Sequence, residues 1–277
     1  MRNVIKKISL FGLFCLLLLH VCCPAYADTA ADLTEDYTAS GVPDLEQATP
    51  PVFHGIVGAG LFNYKKVVGD EGRRYVVLPI VLMTYKDWAY WSLGGGGVWL
   101  LQSEDRSLKF GVGVKARLGW RPDDDALLAG MAARRTSLDG SVNALWKASL
   151  ATISMHYYTD IGNVNHGKAA TLRISQNLWP TARLRLTPSV GVEWQNARLV
   201  DYYYGVRPDE ATATRPVYAG HDTLNFIAGL TGAYWLGREW SLLGGVYVTH
   251  YGDGIGDSPI VQHRGAGLAY FGAGWRF

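Results

Sequence analysis

The chain contains 277 residues, of which 18% are charged, 12% are aromatic and 33 are glycine, well above the usual ~7% for glycine. This composition differs from that of a disordered chain or an ordinary helical enzyme, and it favours strands rich in aromatic residues. All three cysteines, Cys15, Cys22 and Cys23, lie in the first two dozen residues. The remainder therefore offers no thiol for a disulfide scaffold, a nucleophile or a cysteine-ligated zinc site.

Residues 1–27 have the features of a cleaved signal peptide. Arg2, Lys6 and Lys7 precede an apolar run over residues 8–19, and Ala25-Tyr26-Ala27 supplies the small residues at Ala25 and Ala27 that signal peptidase requires. The apolar run is too short to cross the ~30 Å hydrocarbon layer as a helix. We expect cleavage after Ala27, which would leave 23 basic and 24 acidic residues. Such a balance does not favour a nucleic-acid partner.

Residues 28–53 have the composition of an acidic leader. The segment contains six carboxylates and no lysine or arginine, and it includes Pro50-Pro51. Because such a segment cannot bury a core, we expect a flexible leader that lies in the periplasm.

From residue 54 onward, apolar and polar residues alternate with the period of two that is typical of strands. In the segment from Leu108 to Trp120 the apolar residues share one face, and the basic residues lie on the other. The segment from Leu184 to Trp194 repeats this pattern. Comparable segments occur at 54–64, 75–85, 88–102, 139–147, 150–160, 168–178, 222–236, 239–251 and 264–277.

These segments predict an all-β transmembrane barrel, with antiparallel up-and-down strands, over residues 54–277. A soluble β-sandwich would use strands of ~5–6 residues. Many of the predicted strands are longer than this, and their length fits the ~9–11 residues that cross a membrane. Aromatic residues near the strand ends would form the interfacial girdles: Tyr157, Trp179, Trp194, Trp235, Trp240, Tyr251 and Trp275. Dividing 88–102 into strands at 88–94 and 96–102 gives twelve, an even number as bacterial barrels require. Merging them gives eleven, and dropping one strand gives ten.

The end of the chain resembles an outer-membrane assembly signal. Phe271, Trp275 and Phe277 share one face of the last predicted strand, and Phe277 is the final residue. Bacterial outer-membrane proteins typically present such a terminal phenylalanine to the barrel assembly machinery. We therefore expect insertion among the lipids of a Gram-negative outer membrane.

Several motifs resemble the MipA/OmpV family of outer-membrane proteins, also known as MltA-interacting proteins. In chain order they are Leu78-Pro79, Tyr203-Tyr204-Gly205-Val206, Glu210-Ala211 with Tyr218, and Ser258-Pro259-Ile260-Val261. The resemblance extends from about residue 53 to Phe277, although Thr212-Ala213-Thr214-Arg215 replaces the Ser-Gly that usually follows the Glu-Ala pair. It implies an envelope scaffold that links a lytic transglycosylase to a peptidoglycan synthase, with porin-like or adhesin-like roles in other members.

Candidate catalytic and metal-binding groups are scattered along the chain. His221 and Asp222 are adjacent, but neighbours on a strand point to opposite faces. The run Asp123-Asp124-Asp125 could bind a divalent cation, although a solvated acidic loop is the simpler interpretation. The glycines at 94–97 lack the Lys-Ser/Thr of a phosphate-binding loop. We predict no catalytic residue, cofactor or metal, and we rank an outer-membrane enzyme below a scaffold and a pore.

The polar strand faces predict a basic barrel interior. The residues concerned are Lys109, Lys115, Arg117, Arg173, Arg183 and Arg185, with Glu193 as the obvious acid. A lumen lined in this way would favour anionic solutes, unless the cations pair with carboxylates and fill the interior. Side chains fill the interior of a barrel of ~8 strands, whereas a barrel of ~16–18 strands leaves an open channel. A barrel of twelve strands lies between these two sizes. The sequence therefore leaves open both a plugged scaffold and a narrow anion-preferring pore.

Overall fold

The computed structural model describes residues 52–69, 72–86 and 88–277. The predicted signal peptide with its cleavage site, and all but the last two residues of the predicted leader, lie outside the described residues. The strands are β1 (Phe53–Lys65), β2 (Arg73–Tyr85), β3 (Ala89–Ser92), β4 (Gly95–Gln102), β5 (Leu108–Arg117), β6 (Ser137–Lys147), β7 (Thr152–Asp160), β8 (Lys168–Ser175), β9 (Leu178–Thr181), β10 (Leu184–Gln195), β11 (Thr223–Trp235), β12 (Trp240–His250) and β13 (Gly265–Arg276).

Twelve of these strands close into one antiparallel barrel. Sequential strands pair from β1 to β8, β10 pairs with both β8 and β11, and β13 returns to β1. The short β9 pairs with the first residues of β10, beyond the point where β8 ends, so β8 and β9 share one place in the wall. The predicted twelve-stranded barrel is confirmed, including the division of residues 88–102 into β3 and β4.

The alternation along the strands separates a lipid-facing surface from an interior. On β5, Phe110, Val112 and Val114 are between 41% and 43% exposed, whereas Lys115 and Arg117 on the opposite face are buried. Apolar side chains that face outward around a closed barrel form the belt that a bilayer covers.

Two details of the predicted strands were wrong. The strand expected over residues 108–120 ends at Arg117, because Trp120 leaves the wall and donates from Nε1 to the Tyr203 carbonyl oxygen at 2.9 Å. Two aromatic residues expected in the girdles, Trp235 and Tyr251, are buried instead, each at 4% exposure. Both pack into apolar clusters inside the molecule.

The two ends of the barrel differ in the length of their connections. The turns at 103–107, 148–151 and 236–239 are short, whereas the loops at 118–136, 196–222 and 251–264 are long. Short turns face the periplasm in such barrels, and long loops face outward. The long loops contain α1 (Ala197–Tyr204), α2 (Asp253–Gly256) and three 3₁₀ turns. No helix within the described ranges has the length and hydropathy to cross a membrane.

The interior is not uniformly polar. The inner faces of β1, β2 and β11–β13 carry a buried apolar layer, here called the inner cluster, in which the rings of Phe62 and Tyr270 stack at 5.3 Å. Its members are Ile56, Phe62, Tyr64, Leu78, Ile80, Leu82, Ile227, Ala233, Trp235, Leu243, Tyr247, Leu268 and Tyr270. Charged and polar side chains are concentrated on the opposite wall.

Candidate functional site

The polar wall of the interior is formed by the inward faces of β5 to β8 and β10 and continues onto Asn225 of β11. Arg117 donates from Nε to the Asp139 carboxylate at 2.9 Å, and the two side chains are 1% and 4% exposed. Lys115, two residues earlier on the same face, places its ammonium 4.0 Å from the centroid of the Tyr158 ring. Burial removes these charges from water, so their partners inside the barrel must compensate.

The six basic residues expected in the lumen do not all lie there. Five are buried on the inner faces: Lys109, Lys115, Arg117, Arg173 and Arg185. The sixth, Arg183, is exposed in the turn before β10. The guanidinium groups of Arg173 and Arg185 each lie 5.9 Å from an aromatic ring, of Tyr247 and Trp235 respectively.

The expected acid, Glu193, is also buried in the interior. It accepts hydrogen bonds from the side-chain amides of Gln195 at 2.8 Å and Asn225 at 3.3 Å. These bonds hold the carboxylate against the wall, which limits its freedom to bind a passing solute.

A small cavity of about 30 Å³ lies beside Lys115. Its lining includes Ser92 and the glycines of the β3–β4 hairpin on one side, and Tyr158 and His156 on the other. Asn143 links this region, because its side-chain amide donates to the Tyr90 hydroxyl at 2.9 Å and its carbonyl oxygen lies 2.8 Å from His156 Nδ1. In this cavity a buried cation, Lys115, borders free space.

The long loops fold inward and form an extracellular cap, defined as residues 118–136, 196–222 and 251–264. α1 buries Leu199, Val200, Tyr203 and Tyr204 against the other loops. Its first turn is capped by Asn196, whose side chain accepts the Leu199 N–H, which satisfies a backbone donor that a helix end leaves free. The cap therefore places a packed apolar layer over the extracellular mouth.

A buried ion pair joins two loops of the cap. Arg134 donates to both carboxylate oxygens of Glu210 at 2.8 Å, and the side chains are 1% and 2% exposed. Burial would raise the pKa of Glu210, but the Arg134 guanidinium and the backbone N–H groups of Arg207 and Ala132 more than offset it and lower the pKa to about 2. The carboxylate is therefore ionised, and it ties the loops together, at neutral pH.

Arg215 makes a second connection between the same loops. Its guanidinium donates to the carbonyl oxygens of Leu127, Ala129 and Glu210. Arg215 therefore ties the backbone of residues 127–129 to the loop that carries Glu210.

The other candidate groups stabilise the loops. Asp124 accepts the Arg121 N–H and Asp125 accepts the Leu127 N–H, so both cap 3₁₀ turns. Asp222 accepts the Ala197 N–H at 2.7 Å, whereas the His221 ring lies near the Asp222 carbonyl oxygen. Within the described part of the chain, no group of three or more His, Cys, Asp or Glu side chains is placed to hold a metal.

At the periplasmic end, Phe277 closes the seam between β13 and β1. Phe277 and Gly55 exchange two backbone hydrogen bonds, at 3.1 and 3.2 Å. The Phe277 ring lies 5.3 Å from that of Phe53 and 5.6 Å from that of Trp275. Phe271 and Trp275 point outward and are exposed.

The periplasmic turn between β4 and β5 holds a fixed negative charge. Asp105 accepts hydrogen bonds from the Ser103 hydroxyl and from the N–H and hydroxyl of Ser107. These bonds lower the pKa of Asp105 to about 2. The exposed turn therefore presents a carboxylate in a defined position.

The chain is similar to a set of outer-membrane proteins. A family model described as "MltA-interacting protein MipA" matches residues 57–277, which covers the barrel except the start of β1. Outer membrane protein Omp26La of Vibrio anguillarum is 28% identical over 146 residues, 51% of this chain and 56% of that protein. The MltA-interacting protein of Escherichia coli K12 is 32% identical over 95 residues, 34% of this chain and 38% of that protein. The chain thus aligns with about half of the length of the first relative and with a smaller part of the second.

A solved outer-membrane barrel is among the structures that the chain matches. The structure of OmpT from Vibrio cholerae is matched over 84% of this chain and all of that chain, at 9% sequence identity and a TM-score of 0.39. The names of the family and of these relatives describe outer-membrane and interaction proteins rather than enzymes.

Proposed function

Because the chain belongs to the MltA-interacting protein MipA family of outer-membrane barrels, we propose that it is a non-enzymatic scaffold of the cell envelope. In this role its periplasmic face binds a lytic transglycosylase and brings it to a peptidoglycan synthase; the name of its Escherichia coli relative, MltA-interacting protein, supports the first of these contacts. The barrel itself contacts outer-membrane lipid and reaches the membrane through the barrel assembly machinery.

The observation that carries this proposal is the extracellular cap. Its apolar layer and the buried Arg134–Glu210 pair pack over the mouth of the barrel. A buried pair of this kind is costly to break, so the cap favours a filled interior over an open aqueous path. A filled barrel can serve as a rigid membrane anchor for periplasmic partners.

The partner is expected to bind the acidic leader and the short periplasmic turns. The leader carries six carboxylates and no basic residue, and Asp105 adds a fixed negative charge at one turn. The turn around Arg238 lies at the same end of the barrel. A partner with a basic surface would be attracted to such charges, and the attraction would weaken as salt rises.

A pull-down from envelope extracts tests the scaffold. The full mature chain is compared with a variant lacking residues 28–50 and with an Asp105→Asn variant, each matched for barrel yield by heat-modifiable mobility. We expect the intact chain to retain the transglycosylase and the deletion to lose most of it, more so at low salt. Failure of the intact chain to retain any peptidoglycan enzyme would contradict the scaffold.

The second candidate function is a narrow channel that prefers anions. It is favoured by the five buried basic residues of the interior, which outnumber Asp139 and Glu193 on the same wall. Charges that line a narrow passage select ions of the opposite sign. Conductance measurements on purified protein in planar bilayers decide between the two functions. Ohmic channels whose anion preference is lost in Lys115→Glu would favour the pore, and the absence of conductance would favour the scaffold.

A further inference from the structure

The barrel wall is incomplete beside β2. This strand pairs with β1 along its whole length but with β3 only at Met83, Thr84 and Tyr85. β3 ends at Ser92 and the chain turns directly into β4. On this side, no strand of the described ranges pairs with residues 73–82. The strand pairing of the wall therefore has a gap, here called the lateral notch, above the β3–β4 hairpin and between β2 and the extracellular end of β5.

The position of Pro79 fits an open edge. Gly55 bonds to Phe277, so the next residue of β1, Ile56, bonds to its partner Leu82 on β2. Because bonding directions alternate along a strand, Leu82, Ile80 and Leu78 face β1, and Pro79 faces the notch. Proline has no N–H and is found at sheet edges. At Pro79 the backbone therefore lacks an N–H at a place where no neighbouring strand could accept its hydrogen bond. An unsatisfied N–H at this position would be costly in the hydrocarbon layer of the membrane.

The notch is bordered by apolar side chains that continue into the interior. Leu78 and Ile80 belong to the inner cluster, and Val76, Leu93 and Leu118 pack against it. Leu118 would face lipid if β5 continued its alternation, but it is half-buried against this cluster. A continuous apolar surface thus leads from the bilayer side of the wall to the inside of the barrel.

The cavity beside Lys115 adjoins the same hairpin. Ser92 and Gly94–Gly96 line the cavity, while Leu93 between them packs on the inner cluster. Lys115 is 7% exposed. Within the described residues its interaction is with the Tyr158 ring, and it forms no ion pair. The nearby Asp139, its partner across the strands, is bonded to Arg117. A buried ammonium without its own carboxylate is a cost that an anionic ligand would relieve.

We propose that the lateral notch and this cavity together bind a long-chain carboxylate, a free fatty acid that enters from the surrounding bilayer. Its hydrocarbon chain lies against Leu93 and the inner cluster, and its carboxylate meets Lys115. The bilayer supplies amphiphiles of this class, and the cap covers the aqueous route from outside. A cavity of about 30 Å³ accommodates a carboxylate but not a phospholipid head group. This site goes beyond the scaffold role and does not depend on it.

Photolabelling of the full mature protein in lipid nanodiscs tests the site. Three probes carry the same terminal diazirine: a sixteen-carbon fatty acid, the matching alcohol, and a phospholipid with that acyl chain. Labelled residues are mapped by mass spectrometry. We expect the fatty acid to label inward residues around Leu93 and Ile80, in addition to the outer belt that all three probes label.

Two variants with matched controls separate the two halves of the site. Lys115→Gln is expected to weaken binding of the fatty acid by about ten- to hundredfold, the effect of losing one charged hydrogen bond, while leaving labelling by the alcohol unchanged. Lys109→Gln, a buried lysine outside the cavity, is its control. Leu93→Trp is expected to block inward labelling, whereas Leu101→Trp on the exposed face of β4 is not.

The outcomes decide the proposal. Inward labelling by the fatty acid that depends on Lys115 and Leu93 supports it. Labelling confined to outward residues overturns the notch as an entry route. Equal inward labelling by the phospholipid, or no effect of Lys115→Gln in a variant with normal heat-modifiable mobility, overturns the carboxylate assignment.

Discussion

Replacing Glu210 by Gln should loosen the extracellular cap without unfolding the barrel. The carboxylate accepts four hydrogen bonds, two from Arg134 and one each from the N–H groups of Ala132 and Arg207. The amide keeps the shape of the side chain but has one acceptor oxygen instead of two. Arg134 is then buried without a counter-charge, whereas the wall strands keep all their pairings.

The size of the effect follows from the pKa of Glu210. Its pKa is lowered from 4.5 to about 2, and each unit corresponds to ~1.36 kcal/mol, so the ionised carboxylate stabilises the cap by about 3 kcal/mol at neutral pH. This agrees with the ~3–5 kcal/mol cost of removing one partner of a buried ion pair. If exchange occurs through local opening, amide exchange in residues 197–215 should become roughly a hundredfold faster.

The same residue predicts how the cap responds to acid. Because the folded pKa lies below the unfolded value, the stabilisation is fully present above about pH 4.5 and is lost as pH falls toward 2. The difference in exchange between wild type and Glu210→Gln, corrected for intrinsic rates, should therefore be constant near neutral pH and shrink below about pH 4.5.

Hydrogen exchange with mass spectrometry on detergent-solubilised protein measures both effects. Asp209→Asn, an exposed neighbour on the same 3₁₀ turn, controls for the loss of a charge. Equal exchange in the two variants, or a Glu210→Gln effect that persists unchanged at pH 2, would contradict a stabilising role of the ionised Glu210 carboxylate.

Two further predictions concern the barrel wall. Deleting Phe277 removes the hydrogen-bonded pair with Gly55 at the β1–β13 seam, so we expect slower assembly and more degradation in the periplasm, read from heat-modifiable mobility in a pulse-chase experiment; unchanged assembly would contradict this. Changing Asp139 to Asn removes the charge of the carboxylate that accepts the hydrogen bond from the buried Arg117 Nε. The loss of this charge should lower the free energy of unfolding, measured in urea, by about 3–5 kcal/mol, whereas Asp123→Asn in an exposed turn should have little effect.

The repeated alternation of the strands could be predicted from the sequence because it is a local property. Each wall strand has one face toward lipid, so residues such as Phe110, Val112 and Val114 must be apolar whatever their neighbours are. The glycines at 94–97 likewise indicated a break, and the structure places the β3–β4 turn at Leu93 and Gly94, directly before β4 begins at Gly95. Strand number and barrel class followed from these local signals.

Which side chains meet inside the barrel depends on how the strands close into a barrel. Whether an inward residue meets a charge or a ring is decided by the register of strands far apart in sequence, which alternation does not encode. The inner face of β2 therefore carries Leu78 and Ile80 in an apolar cluster, while that of β5 carries Lys115 and Arg117. The inward alternation was visible in both strands, but the division of the interior into two walls was not.

The loops and the notch were decided by tertiary structure alone. Arg134 and Glu210 are separated by 76 residues, and neither lies in a periodic segment, so no local pattern could pair them. Trp120 continued the alternation of β5 in sequence, yet a hydrogen bond to the cap draws it out of the wall. Alternation likewise identified β2 as a strand. Only the closed barrel shows that the neighbouring strand β3 stops after four residues and leaves the edge of β2 unpaired. Local chemistry determines which face of a strand meets lipid, whereas closure of the chain on itself determines what each inner face and each edge meets.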